Sequence, residues 1–121
     1  MFVKHLKDFQ EFVAGDNSVL RELLHPNKSN LEIHYSLAHA EVAPGQKTKP
    51  HILRTSEVYY ILTGRGLMII NNESAPVKPN CVVYIPPNSV QYIENTCDTM
   101  LEFLCIVDTA WQESDEKILD S

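Results

Sequence analysis

Residues Ala43 to Gly64 read APGQKTKPHILRTSEVYYILTG. A Pro44-Gly45 turn leads into His51, a carboxylate follows at Glu57, and a run of β-favouring residues ends at Thr63-Gly64. Side chains of a strand alternate faces, so Glu57, Tyr59 and Ile61 point one way and Val58, Tyr60 and Leu62 the other. Glu57 thereby shares a face with an aromatic and a branched aliphatic. An ionised carboxylate is expensive to bury there unless a metal ion, a cation or hydrogen-bond donors pair with it. What pairs with Glu57 decides what the chain can do.

Working outward, the chain from Leu31 onward reads as short strands divided by turn clusters. Leu31 to Val42 is the first long strand. Val58 to Leu62 and Leu67 to Ile70 follow, the latter ending at Asn71-Asn72, a pair that tolerates the positive φ of a tight hairpin. Cys81 to Ile85, Val90 to Glu94 and Met100 to Val107 complete the series, punctuated by Pro86-Pro87-Asn88 and Asn95-Thr96-Cys97. This rhythm indicates an all-β sandwich or barrel. Upstream, Leu6, Phe9, Phe12 and Val13 approach helical spacing and suit a short helix or an arm, while Ser18 to Leu24 reads as a strand. The acidic end from Trp111 suits a short helix from Ser114 or a loose tail. The division expected is an N-terminal arm and lead-in strand over 1–30, a β-barrel over 31–110 and a C-terminal tail over 111–121.

The 121 residues suit one domain with a modest core. With 44% hydrophobic and 21% charged residues the chain is globular. A net charge of -6 argues against nucleic acid or an anionic membrane as partner, since both attract a positive field. No apolar run is long enough for a membrane-spanning helix, and MFVKHLKDFQEF lacks a signal peptide's apolar centre. Cys81, Cys97 and Cys105 are too widely spaced for a zinc knuckle or a disulfide framework, so reduced thiols in the cytoplasm are expected. The runs MLEFLCIV and VYYIL are apolar on both faces. A small barrel covers only its inside, so the outer face is expected to meet a second copy in a two-fold homodimer.

The stretch holding Gly45, His51, Glu57 and Gly64 resembles the first motif of the cupin superfamily, in which Gly, His-x-His, Glu and Gly fall at fixed spacing. NCVVYIPPNSVQYIEN, Asn80 to Asn95, resembles the second: Pro86 and Asn95 are in place, and Asn80 and Asn88 stand where that motif has Gly. Asn tolerates the same left-handed backbone better than most residues. The two motifs cover about half the chain. The resemblance implies a double-stranded β-helix or jelly-roll cupin barrel, typically dimeric, of the small single-domain kind.

In metal-binding cupins the ligands are two His and a Glu from the first motif and a His from the second. By position these are His51, Leu53, Glu57 and Gln91 here. Leu53 cannot ligate, and Gln91 offers only a weak amide oxygen, so the metal set shrinks to His51, Glu57 and Gln91. A second imidazole has two candidates, His34 and His39, which face opposite sides of one strand, so at most one enters the barrel. Two readings stay open. In one, a divalent transition metal (Mn, Fe, Ni or Zn) is held with water completing its shell. In the other there is no cofactor, and His51 and Glu57 hydrogen-bond to each other in a polar pocket. Either way the pocket expected for a small polar ligand is lined by His51, Glu57, Tyr59, Gln91 and Asn95. If the chain is an enzyme, Glu57 is the general base and His51 the acid or ligand. A metal-dependent oxygenase or isomerase acting on a sugar-like or keto-acid substrate is the alternative, and a non-catalytic sensor or structural dimer the second. There is no phosphate-binding Gly loop, nucleophile elbow or HExxH.

Overall fold

The computed structural model describes residues 1–119. Eleven strands are present among them: β1 Phe12–Val13, β2 Val19–Leu24, β3 Tyr35–Val42, β4 His51–Leu53, β5 Ser56–Thr63, β6 Gly66–Ile70, β7 Glu73–Val77, β8 Val82–Ile85, β9 Val90–Asn95, β10 Leu101–Asp108 and β11 Glu116–Ile118. They form two antiparallel sheets, ordered β1-β2-β3-β10-β5-β8 and β11-β4-β9-β6-β7. This is the expected all-β jelly-roll barrel. Several neighbours, such as β3 with β10, β10 with β5 and β4 with β9, are distant in sequence, as the sandwich topology requires.

Alternation decides which side chains fill the space between the sheets. In β5, Glu57, Tyr59 and Ile61 are buried, whereas Tyr60 and Leu62 are exposed. In β10 the buried set is Leu101, Phe103, Cys105 and Val107. Tyr59 and Phe103 meet with ring centroids 4.5 Å apart and planes tilted by 38°. Such an aromatic pair adds to the burial of both rings.

The turns follow from residues that accept a positive φ. Gly45 has φ +74° and Gly64 φ +83°, and Asn80 and Asn88 take φ +74° and +64° at the second motif's glycine positions. Asn71, at φ +54°, opens the two-residue hairpin joining β6 to β7.

Three expectations change. The first long strand begins at Tyr35, not Leu31, because Asn30 takes φ +52° and the Ile33 amide turns back onto the Leu31 carbonyl. The N-terminal apolar residues do not make an α-helix. A single 3-10 turn at Leu6–Asp8 leads to β1, whose Phe12 and Val13 pair with Leu20 and Val19. Past Trp111, a 3-10 turn at Glu113–Asp115 is followed by β11, which pairs with β4 through Glu116↔Leu53 and Ile118↔His51. Asp120 and Ser121 of the acidic tail lie outside the described residues. Strand β7, unremarked in the sequence, contains Pro76. It can do so because it is the last strand of its sheet, with one edge unpaired among the described residues.

Candidate functional site

A cavity of about 160 Å³ lies against the inner face of β3, β5 and β10. Its walls include His51, Glu57, Tyr59, Phe103 and Cys105. The β1–β2 hairpin contributes Phe12, Asp16 and Ser18, and the C-terminal segment contributes Trp111 and Glu116.

His51 is 3% exposed at the start of β4. Its Nδ1 lies 2.9 Å from the Lys49 carbonyl oxygen. A carbonyl only accepts, so Nδ1 carries the hydrogen of that bond and Nε2 is left for whatever enters the cavity. Glu57 is 8% exposed and forms no ion pair among the described residues. Burial pushes its carboxyl up to about 8, with Asp16 and Glu116 adding to the rise and the Gln91 amide drawing it partway back. Burial also raises the Tyr59 phenol and the Cys105 thiol, each further lifted by Glu57. Neither phenolate nor thiolate is therefore available at neutral pH.

Gln91 stands opposite His51 in the β4–β9 ladder, is 1% exposed, and its Oε1 accepts the Tyr59 hydroxyl at 3.2 Å. It backs the site through Tyr59 and is not among the cavity-lining residues. Asn95 is placed elsewhere. Its Nδ2 donates to the carbonyls of Val42 at 2.9 Å and Thr99 at 2.8 Å, and its Oδ1 accepts the Cys97 amide at 2.9 Å. With both ends engaged, Asn95 ties the β9–β10 turn to β3. The structure thus brings together His51, Glu57, Tyr59 and Gln91 but not Asn95.

Asp16, Trp111 and Glu116 complete the wall and were not singled out from sequence. Asp16 Oδ1 accepts the Ser18 amide at 3.0 Å and hydroxyl at 2.6 Å. Glu116 Oε2 accepts Trp111 Nε1 at 3.4 Å. Burial raises the Glu116 carboxyl, while His51 and Trp111 pull it down and Asp16 raises it again.

The barrel meets its counterpart in known proteins. The cupin-domain family model matches residues 38–107. The chain belongs to the cupin family. An uncharacterised protein of Methanocaldococcus jannaschii is 43% identical over 110 residues, 90% of this chain and 87% of that protein. An oxalate-binding protein of Thermotoga maritima is 33% identical over 88 residues, 72% of this chain and 68% of that protein. Among solved structures, a cupin 2 conserved barrel domain protein from Salinispora arenicola superposes with a TM-score of 0.78 over 94% of this chain and 91% of that one, at 20% identity.

Metal binding is common among cupins, and the residues here can be tested against it. Leu53, at the second ligand position, is 2% exposed and purely hydrocarbon. The Gln91 oxygen is engaged by Tyr59. The family's four-ligand set is therefore not met, and His51 with Glu57 remains. His34 is exposed ahead of β3, and His39 is on that strand's outer face, so neither looks into the barrel. His39 instead has Nε2 3.2 Å from Glu102 and Nδ1 3.9 Å from Glu41. Among the described residues, His39, Glu41 and Glu102 are the trio whose ligand atoms lie within 4.8 Å of one another and could hold a metal ion. Glu41 is already paired with Arg21 at 3.3 Å.

No helix among the described residues is long and apolar enough to cross a membrane.

Proposed function

We propose that this cupin binds a small polar molecule in its barrel cavity, contacted by His51, Glu57 and Tyr59, with Gln91 holding Tyr59 in place. The observation that carries this reading is the pairing of a cavity of about 160 Å³ with the buried His51 and Glu57 on its wall, of which Glu57 has no cationic partner among the described residues. A polar group buried without a partner is costly unless the site exists to be filled. The Thermotoga maritima relative is an oxalate-binding protein, which supports a small polar ligand without naming this one.

Glu57 would also be the proton-transfer group if a reaction occurs. With its carboxyl raised to about 8, it holds a proton at neutral pH. It would therefore donate first and act as a base only after giving up that proton. The working form is a homodimer in the cytoplasm. The three free thiols of Cys81, Cys97 and Cys105 suit that reducing compartment.

A second reading, a metal-dependent oxygenase or isomerase, is favoured by one observation. An imidazole anchored through Nδ1 to a carbonyl, as His51 is, has the orientation typical of a metal ligand. Mn, Fe, Ni or Zn would then be held by His51 and Glu57, with Gln91 joining once its oxygen is released from the Tyr59 hydroxyl. Elemental analysis of protein purified without added metal separates the readings: near-stoichiometric metal, lost in His51→Ala, favours the second.

The first reading is tested with Glu57→Leu. Thermal-shift screening against a panel of small polar molecules should give hits with the parent protein and none with a variant that keeps its strand spectrum. Loss of folding in the variant would make the carboxylate structural and remove the support for this reading.

A further inference from the structure

Four carboxyl side chains line the cavity: Asp16, Glu22, Glu57 and Glu116. Lys28 lines it too, but its Nζ is 2.7 Å from Glu22 and neutralises that residue. Asp16, Glu57 and Glu116 form no ion pair among the described residues. Their fields reach one another, since Asp16 raises the carboxyls of both Glu57 and Glu116.

Crowded acids alone do not make a site. The independent pointer is His51 with Glu57, each more than nine-tenths buried and facing the cavity. The hydrogen bond of His51 uses Nδ1 and leaves Nε2 toward the cavity, and Glu57, beside the Gln91 amide, has no ion-pair partner among the described residues. Four aromatic side chains, Tyr59, Phe103, Trp111 and Phe12, also line the wall. Trp111 also fixes one oxygen of Glu116.

We propose that the cavity takes an organic cation, a small molecule whose ammonium or guanidinium group sits among Asp16, Glu57 and Glu116 while its hydrocarbon rests on Phe103 and Trp111. The inference depends on the small-molecule reading above and names the class of ligand. Carboxylates plus aromatic faces are the two complements of such a group: the first supply charge and acceptors, the second a quadrupole and apolar contact. A point cation is a poorer fit. These carboxylates are spread round the wall, and the trio with atoms close enough to share one ion, His39–Glu41–Glu102, is on the outer face. A dicarboxylate is a poorer fit still, because the Asp16 and Glu116 carboxylates would repel it. Asp16, Trp111 and Glu116 all fall outside the family-matched region 38–107. Two of the three acids thus come from the hairpin and the C-terminal segment, outside that matched region.

The test is isothermal titration of the full chain with three sets of probes at neutral pH: propylamine, 1,4-diaminobutane and agmatine; 1,4-butanediol and glucose; oxalate and succinate. The amines should bind, and the diol of matching length should not. Asp16→Asn and Glu116→Gln should each weaken the amines about tenfold or more, with melting temperatures near the parent's. Two substitutions are used so that, if one misfolds, the other still decides. Binding confined to the neutral or anionic probes and lost in Glu57→Leu would overturn the cation inference while leaving the small-molecule reading intact. Amine binding that neither Asp16→Asn nor Glu116→Gln weakens also overturns it. No binding by any probe overturns the cation inference, and the wider thermal-shift panel then tests the broader reading by itself.

Discussion

Glu57 is buried among Tyr59, Phe103 and Cys105, with its carboxyl raised from 4.5 to about 8, and this has a consequence for stability. Between those values the unfolded chain has released the proton while the folded chain keeps it. Stability linked to this group is therefore fully present below about pH 4.5 and lost as pH rises through about 8. Glu57→Gln keeps the shape and removes the titration. Across that window the parent should lose on the order of a few kcal/mol that the variant retains. Urea midpoints of both proteins at about pH 5 and about pH 9 check this. Equal slopes for the two would mean that Glu57 ionises freely in the folded chain. Much at this scale was legible in the sequence. Alternation along SEVYYIL put Glu57, Tyr59 and Ile61 on one buried face, and the asparagines at motif glycine positions, Asn80 and Asn88, do carry positive φ. Asn95 was legible only as a motif letter. Its hydrogen bonds to Val42, Thr99 and Cys97 depend on strands that meet only after folding.

Two glycines of one motif serve different ends of the elements they bound. Gly45 precedes β4 with φ +74°, and a Cβ there would meet nothing within 4 Å. Gly64 ends β5 with φ +83°, and a Cβ there would lie 2.6 Å from the Met100 carbonyl oxygen and 2.8 Å from the Leu101 Cα. Gly45→Ala should cost only the left-handed backbone penalty, about 1 kcal/mol. Gly64→Ala must also push β5 away from the start of β10, and should cost about 3 kcal/mol or more. Denaturant midpoints of the two variants side by side decide it, and equal losses would refute the close approach. The strands themselves were readable from turn residues and alternation. Strand β11 was not, because GluLysIle in an acidic stretch has no strand signature of its own and is ordered by β4, some sixty residues earlier. That non-local pairing brings Glu116 to the cavity, just as the β1–β2 hairpin brings Asp16. Half of the site wall is therefore a product of topology, which local pattern does not encode.

At the scale of the whole molecule, the outer face of the larger sheet remains to be covered. Register places Leu37, Ile106, Val58 and Tyr84 in one row across β3, β10, β5 and β8, and Leu104, Tyr60 and Val82 in the row beside it. Tyr84 is 61% exposed, Val82 68% and Ile106 39%. A contiguous apolar surface of this kind on a β-sheet suits the proposed homodimer, in which a patch that matches itself would meet its copy about a two-fold axis. The strand at that end, β8, also has one edge without a partner among the described residues, so association would cover apolar side chains and a strand edge together. Light scattering at tens of micromolar should give twice the chain mass for the parent. Ile106→Lys puts a charge in the middle of the row on a residue already partly open to water, so the fold should survive while each copy brings its charge against the other. That variant should elute with the mass of one chain and an unchanged strand spectrum. A parent protein that is monomeric at that concentration, or an Ile106→Lys variant that stays dimeric, would move the interface off this sheet.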